Sequence, residues 1–183
     1  IGPINVNKYP AIKRHLDQYY EQLKKRADQG VTPYNLRNCA YVNDFKKEKI
    51  IFQEIVQEPM FCYDESDHYF RVDTGRIITT EKVKYLIAFL NSALFFYSMK
   101  YYYGGGGLGN TGIRMKHTFF QNCPVVVPTN DINNRFVEIV DRILVIKGTQ
   151  QNADTTKLEK QIDQMVYELY GLTDEEIKIV EEG

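Results

Sequence analysis

Apolar positions along this chain change their spacing three times. Over residues 10–30 they recur at helical intervals, as Ile12, Leu16, Tyr19, Tyr20 and Leu23. Pro10 stands where a first helical residue would, since its missing N–H costs nothing there, and Gly30 supplies a stop. Lys24, Lys25 and Arg26 at the far end suit the negative pole of a helix dipole. The pattern predicts a packing helix with a solvated basic end. Over residues 31–71 the period shortens. Segments 37–42, 49–56, 60–63 and 69–72 read as strands, separated by turn-forming Asn43-Asp44, Glu58-Pro59 and residues 64–67. Segment 49–56 is mostly apolar, as a buried central strand would be. A short strand over 76–79 is expected after the turn at Asp73-Thr74-Gly75.

The third regime starts at Thr79 or Thr80, either of which is expected to cap a helix. Val83, Leu86, Ile87, Leu90, Leu94, Tyr97 and Tyr101 make one face, and Tyr85, Phe89 and Phe96 another. A helix apolar nearly all round belongs in a core. It must surface at residues 100–103, because the run Gly104 to Gly107 cannot continue it. A basic piece follows over 114–117. Phe119 and Phe120 are expected to re-enter the core, and Val125-Val126-Val127 to form a short strand between Pro124 and Pro128. Three amphipathic helices close the chain. The first is capped by Asn130 or Asp131 and ends at Gly148. The second spans 157–170 and ends at Gly171. The third opens on the capping box Thr173-Asp-Glu-Glu176.

These elements predict an α+β fold, with a small mixed β-sheet core around a buried central helix, followed by a helical C-terminal section. The expected boundaries are residues 1–128 for the α/β part and 129–183 for the helical part.

Charge sharpens the picture. The 183 residues carry a net charge of −1, but residues 1–128 hold 17 Lys and Arg against 12 Asp and Glu, and residues 129–183 hold 6 against 12. Residues 68–128 contain seven basic side chains and two acidic ones. A positive centre followed by an acidic tail attracts a polyanion to one face. Cys39, Cys62 and Cys123 are odd in number and widely spaced, which fits no disulfide framework and suits a reducing cytoplasm. The longest apolar run, over 85–97, is too short to span a bilayer and contains Asn91 and Ser92, so no membrane association is expected. The opening IGPINVN lacks an initiator Met, as a piece of a longer protein would.

The glycine run follows a helix rather than a strand and lacks a following GK[ST], so it is not a phosphate loop of the nucleotide-binding kind. It is better read as a loop whose backbone comes close to a ligand. Lys100, Arg114 and Lys116 flank it. Arg reads guanine bidentately and Lys acts as a point charge. Asn110 suits adenine, and Tyr101, Tyr102 and Tyr103 suit stacking on bases or lining a groove. Arg71, Arg76, Lys82 and Lys84 are the expected phosphate contacts that set register. Cys62 and His68 have no second pair at zinc spacing. Asp64, Glu65 and Asp67 crowd a turn, where solvation accounts for them. The leading reading is double-stranded DNA recognition. A protein–protein module docking a partner subunit and a small metal-dependent nuclease are the alternatives.

Several segments together are similar to a known family. They are Leu36-Arg37-x-Cys39-x-Tyr41, the run Lys49 to Ile55, Asp73-Thr74-Gly75, Tyr85-Leu86-x-x-x-Leu90-Asn91-Ser92, Gly112-Ile-Arg-Met-Lys116 and Pro124 to Pro128. In this order they resemble the TaqI-like C-terminal specificity domain, the target recognition domain of type II restriction–modification enzymes. That domain is in turn similar in plan to the recognition domains of type I specificity subunits. The close from Leu158 to Thr173 fits as well, and the resemblance covers roughly residues 9–182. It implies a DNA-reading module with no catalytic, cofactor or metal residues of its own. The parent would carry upstream methyltransferase and nuclease domains in the same chain. Its cofactor would be S-adenosylmethionine for adenine methylation, with Mg where it also cuts. In the family, sequence readout lies after the Leu-Asn-Ser helix, which here is residues 101–116.

Overall fold

The computed structural model describes residues 2–38, 40–58, 60–65, 75–104 and 112–183, apart from the side chains of His117 and Phe120. The architecture is α+β, and the chain divides into two compact units, Ile1–Asn43 and Asp44–Gly183.

In the first unit, the expected helix forms in two pieces, α1 (Pro10–Asp17) and α2 (Tyr20–Lys25). The break is local. The amides of Gln18 and Tyr19 reach back only three residues, to the carbonyls of His15 and Leu16, a tightened last turn that ends a helix. Gly30 then turns the chain. Its N–H donates to the Asn35 carbonyl at 2.9 Å, and a Cβ there would lie 2.3 Å from the Leu36 carbonyl oxygen. Residues 37, 38 and 40–42, expected as strand, form none, having no neighbouring strand to pair with among the described residues. No described residue of this unit is buried, so the expected packing helix has no core of its own to pack on.

The second unit is built on β1 (Lys49–Gln53), the centre of an antiparallel three-stranded sheet. On one side is β3 (Cys62–Asp64) and on the other β4 (Gly75–Ile78). Ile50, Ile51 and Phe52 are all buried, which is why β1 reads as a continuous apolar run. Lys49 faces Asp64 across the ladder and pairs with it at 2.6 Å, both side chains sealed from solvent. Asp64, expected as a solvated turn carboxylate, is thus part of the core, where losing either partner would strand a charge. A second small sheet pairs β2 (Ile55–Val56) with β5 (Ile113–Arg114).

The central helix is also divided, into α3 (Val83–Leu90) and α4 (Ala93–Ser98). Asn91 and Ser92 make the division. The Asn91 amide donates to the Phe61 carbonyl at 3.0 Å and accepts from its N–H at 3.1 Å. The Ser92 hydroxyl donates to Phe89 O at 2.6 Å and accepts from Phe95 N at 3.2 Å, capping α4. Neither Thr79 nor Thr80 caps α3. A turn over residues 81–82 intervenes, and the N-cap position falls on Lys82, with no side-chain cap.

Residues 124–128 form no strand, as two prolines remove donors and no partner strand adjoins among the described residues. Side chains satisfy this backbone instead. The Tyr85 hydroxyl donates to Val126 O at 2.6 Å, and the Tyr170 hydroxyl donates to Pro124 O at 2.9 Å and accepts from Val126 N at 3.2 Å. Phe119 is exposed, on the short helical turn α5 (His117–Phe120), rather than back in the core. Thr129, not Asn130 or Asp131, caps α6 (Asn130–Thr149), which runs through Gly148. Gly171, at φ 69°, ends α7 (Thr156–Tyr170), and the Thr173–Glu176 box caps α8 (Asp174–Glu182) with both halves formed. α6 and α7 pack on α3, and α7 and α8 on α4, burying Phe89, Phe95, Phe136 and Val166.

Candidate nucleic-acid interface

The sequence places its chemistry on the connection that leaves α4 and returns as β5. The helix ends in a π turn, Met99–Tyr103, a wide turn often found at functional sites. Met99 is fully buried and holds the turn to the core, which leaves Lys100, Tyr101 and Tyr102 exposed and Tyr103 half-buried. Gly104 makes the exit. Its N–H donates to the Met99 carbonyl at 2.7 Å. A Cβ there would sit 2.3 Å from that same oxygen and 2.9 Å from Ile113 Cγ2, so only glycine fits.

The return is pinned as firmly. Met115 is 1% exposed and its N–H donates to the Glu54 carbonyl at 2.6 Å. Ile113 and Arg114 pair with Val56 and Ile55. Both ends of the connection are therefore fastened by a buried methionine and a backbone bond. Asn110 and Arg71 lie outside the described residues, as does His68.

The described cations are placed differently from one another. Lys116 is exposed and its side chain has no partner among the described residues. Arg114 is half-buried, and its Nε is buried without a hydrogen-bond partner. Arg76 pairs with Glu54 at 2.7 Å. Because Glu54 also holds Met115 through its backbone, β4 and β5 bring Arg76, Arg114 and Lys116 to one neighbourhood. Lys82 donates to the Pro128 carbonyl at 2.8 Å. Lys84 pairs with Asp141 at 2.6 Å and lies over the Tyr63 ring at 5.7 Å. Lys100 donates to the Gly183 carbonyl and lies over the Tyr101 ring. For Arg76, Lys82, Lys84 or Lys100 to touch a phosphate, these bonds would have to open; the partly exposed ion pairs of Arg76 and Lys84 hold by only about 0–1 kcal/mol.

The tyrosines form a cluster. Tyr97 lies 4.7 Å from Tyr101 and 6.3 Å from Tyr102, ring centre to ring centre. Lost hydration within this cluster pushes the Tyr97 phenol above its usual range. These rings are neutral, flat and half in water, suited to a base or a sugar face. Sequence reasoning missed Tyr97 in this role because its helical spacing matches the core face. It also missed Glu54, whose side chain holds Arg76 and whose carbonyl holds Met115. Among the described residues no group of three or more His, Cys, Asp or Glu is arranged to hold a metal, and no helix is long and apolar enough to cross a membrane.

A family model, the TaqI-like C-terminal specificity domain, matches residues 4–108, more than half of the chain. The chain belongs to this family. The match takes in the N-terminal unit, the three-stranded sheet, α3, α4 and the π turn, while β5 and the three closing helices lie past its end. A comparison with curated proteins finds no match. As a specificity domain of this family, the chain serves DNA sequence recognition in a restriction–modification system.

Proposed function

We propose that this specificity domain reads its target through the connection between α4 and β5. Arg114 and Lys116 meet base edges in the major groove, Lys100 and Asn110 assist, and the tyrosines line the groove. Arg71, Arg76, Lys82 and Lys84 serve as phosphate contacts, the paired ones exchanging an internal partner for a phosphate on binding. In this reading the domain positions separate parts of a type II enzyme of the same chain: an adenine methyltransferase that uses S-adenosylmethionine and, where the parent also cuts, a Mg-dependent nuclease. The domain itself contributes recognition and no chemistry.

The observation that supports this best is the double anchoring. Met99 and Met115 fix the two stems of the connection, so exposed Tyr101, Tyr102 and Lys116 are held out at low entropic cost before any ligand arrives. The test is fluorescence anisotropy of the chain on a labelled mixed-sequence duplex across salt concentrations. Binding that weakens steeply with salt is expected. No binding at low salt, or binding indifferent to salt, would overturn the reading, the latter in favour of a surface that docks a partner protein.

A further inference from the structure

The first unit, residues 2–43, is unlike the rest of the chain. It carries seven cations and three carboxylates, a net charge of +4, while residues 44–183 carry −5. Its carboxylates are largely used internally. Asp17 accepts from Lys13 at 2.8 Å and from the Tyr34 hydroxyl at 2.6 Å, which holds the Asp17 carboxyl below its usual range. Asp28 pairs with Arg37 at 3.3 Å. Arg26 donates to the Asn35 carbonyl at 2.6 Å. Lys8, Arg14, Lys24 and Lys25 remain exposed, with no ion pair or hydrogen bond from their side chains among the described residues. Glu21 is the one carboxylate left in the same condition.

The apolar side chains are equally uncommitted. None is buried, and Tyr9, Ile12, Tyr19 and Leu36 are exposed. Ile12 and His15 lie one turn apart on α1, and the His15 ring contacts Tyr19 at 5.5 Å, so aromatic and cationic groups are interleaved over α1 and its end. A unit this small with no buried side chain draws little stability from its own core. Exposed apolar groups alone would suit a protein. Four unpaired cations against one unpaired carboxylate favour a polyanion, with tyrosines against its sugars.

We infer that residues 2–43 form a second DNA contact surface, which holds the phosphate backbone through Lys8, Arg14, Lys24 and Lys25. This rests on the chain being a DNA reader and adds a surface separate from the α4–β5 connection. It supplies affinity without sequence preference, since phosphates carry no base identity.

The test uses the whole chain on a labelled 30-base-pair duplex of mixed sequence. The variant K8Q/R14Q/K24Q/K25Q changes only exposed side chains. A control, R135Q/R142Q/K157Q/K160Q, removes as many exposed cations from α6 and α7. The slope of log affinity against log salt should shrink by about 3 to 4 in the first variant, with affinity down at least about tenfold, and stay unchanged in the control. Equal slopes for the wild type and the first variant would overturn the inference while leaving the α4–β5 reading intact. Equal losses in both variants would also overturn it, since net charge rather than this surface would then be responsible. Absence of binding by the wild type would overturn both readings. Thermal unfolding of the variants checks that each is folded.

Discussion

Replacing Arg114 by Met should make the protein more stable while it loses preference at one base position. Arg114 is half-buried on β5, and its Nε is sealed from water without a partner. A buried donor left unmade costs about 1–3 kcal/mol. Only one of the guanidinium nitrogens is in this position, so the lower end, about 1 kcal/mol, is the relevant figure. Met keeps the length of the aliphatic stem, leaving no cavity, and removes the orphaned donor. With a urea m-value of about 2 kcal/mol/M, the midpoint should rise by about 0.5 M at unchanged slope. Urea titration followed by circular dichroism reads this directly. A midpoint lowered by a similar amount would refute the reasoning, because Arg114 would then be held by contacts that stabilise the fold. A destabilising residue retained at this point is what a binding role, rather than a packing role, would explain.

Three further outcomes follow from the same geometry. Gly104→Ala should destabilise the second unit by about 1–3 kcal/mol in urea, because its Cβ would press on the Met99 carbonyl; wild-type stability would show the exit of the π turn to be soft. Burial pushes the Cys123 thiol up to about 11, while Cys62 is exposed, so at pH 8 iodoacetamide should label Cys62 well before Cys123, as read by peptide mass spectrometry. Burial also raises the Asp163 carboxyl above its usual range, against the opposing hydrogen bond from Ala93 N at 2.8 Å. The folded chain then holds that proton more tightly than the unfolded one, and stability falls as pH rises from about 4 through the folded-state value. Asp163→Asn should therefore raise the melting temperature more at pH 8 than at pH 3.5; an equal shift at both would contradict this.

How much of this was legible in the sequence depended on how local each cause was. The capping box at Thr173, the left-handed Gly171 and the apolar run of β1 are written in adjacent residues, and they formed as read. The division of the central helix was present as Asn91-Ser92 but looked like polar interruption of a rod. Its cause is distant, since Asn91 is committed to the backbone of Phe61, thirty residues earlier. The Lys49–Asp64 pair was hidden for the same reason: only the strand register brings the two together. The Pro124–Pro128 segment has strand composition but no neighbour to pair with among the described residues, and tyrosine hydroxyls from α3 and α7 hold it instead. At the site, the aromatic turn, the glycine exit and the basic return were legible. The internal partners of Arg76, Lys82 and Lys84 were not, because Glu54, the Pro128 carbonyl and Asp141 come from elsewhere in the chain.

The central claim is that target sequence is read by the segment returning from the glycine exit. Selection of bound duplexes from a random-sequence pool, sequenced for the wild type and for Arg114→Ala, tests it most directly. The variant should lose preference at one base position, at a cost of about 1–3 kcal/mol there, and keep the others. Identical preferences at every position in the two pools would contradict it.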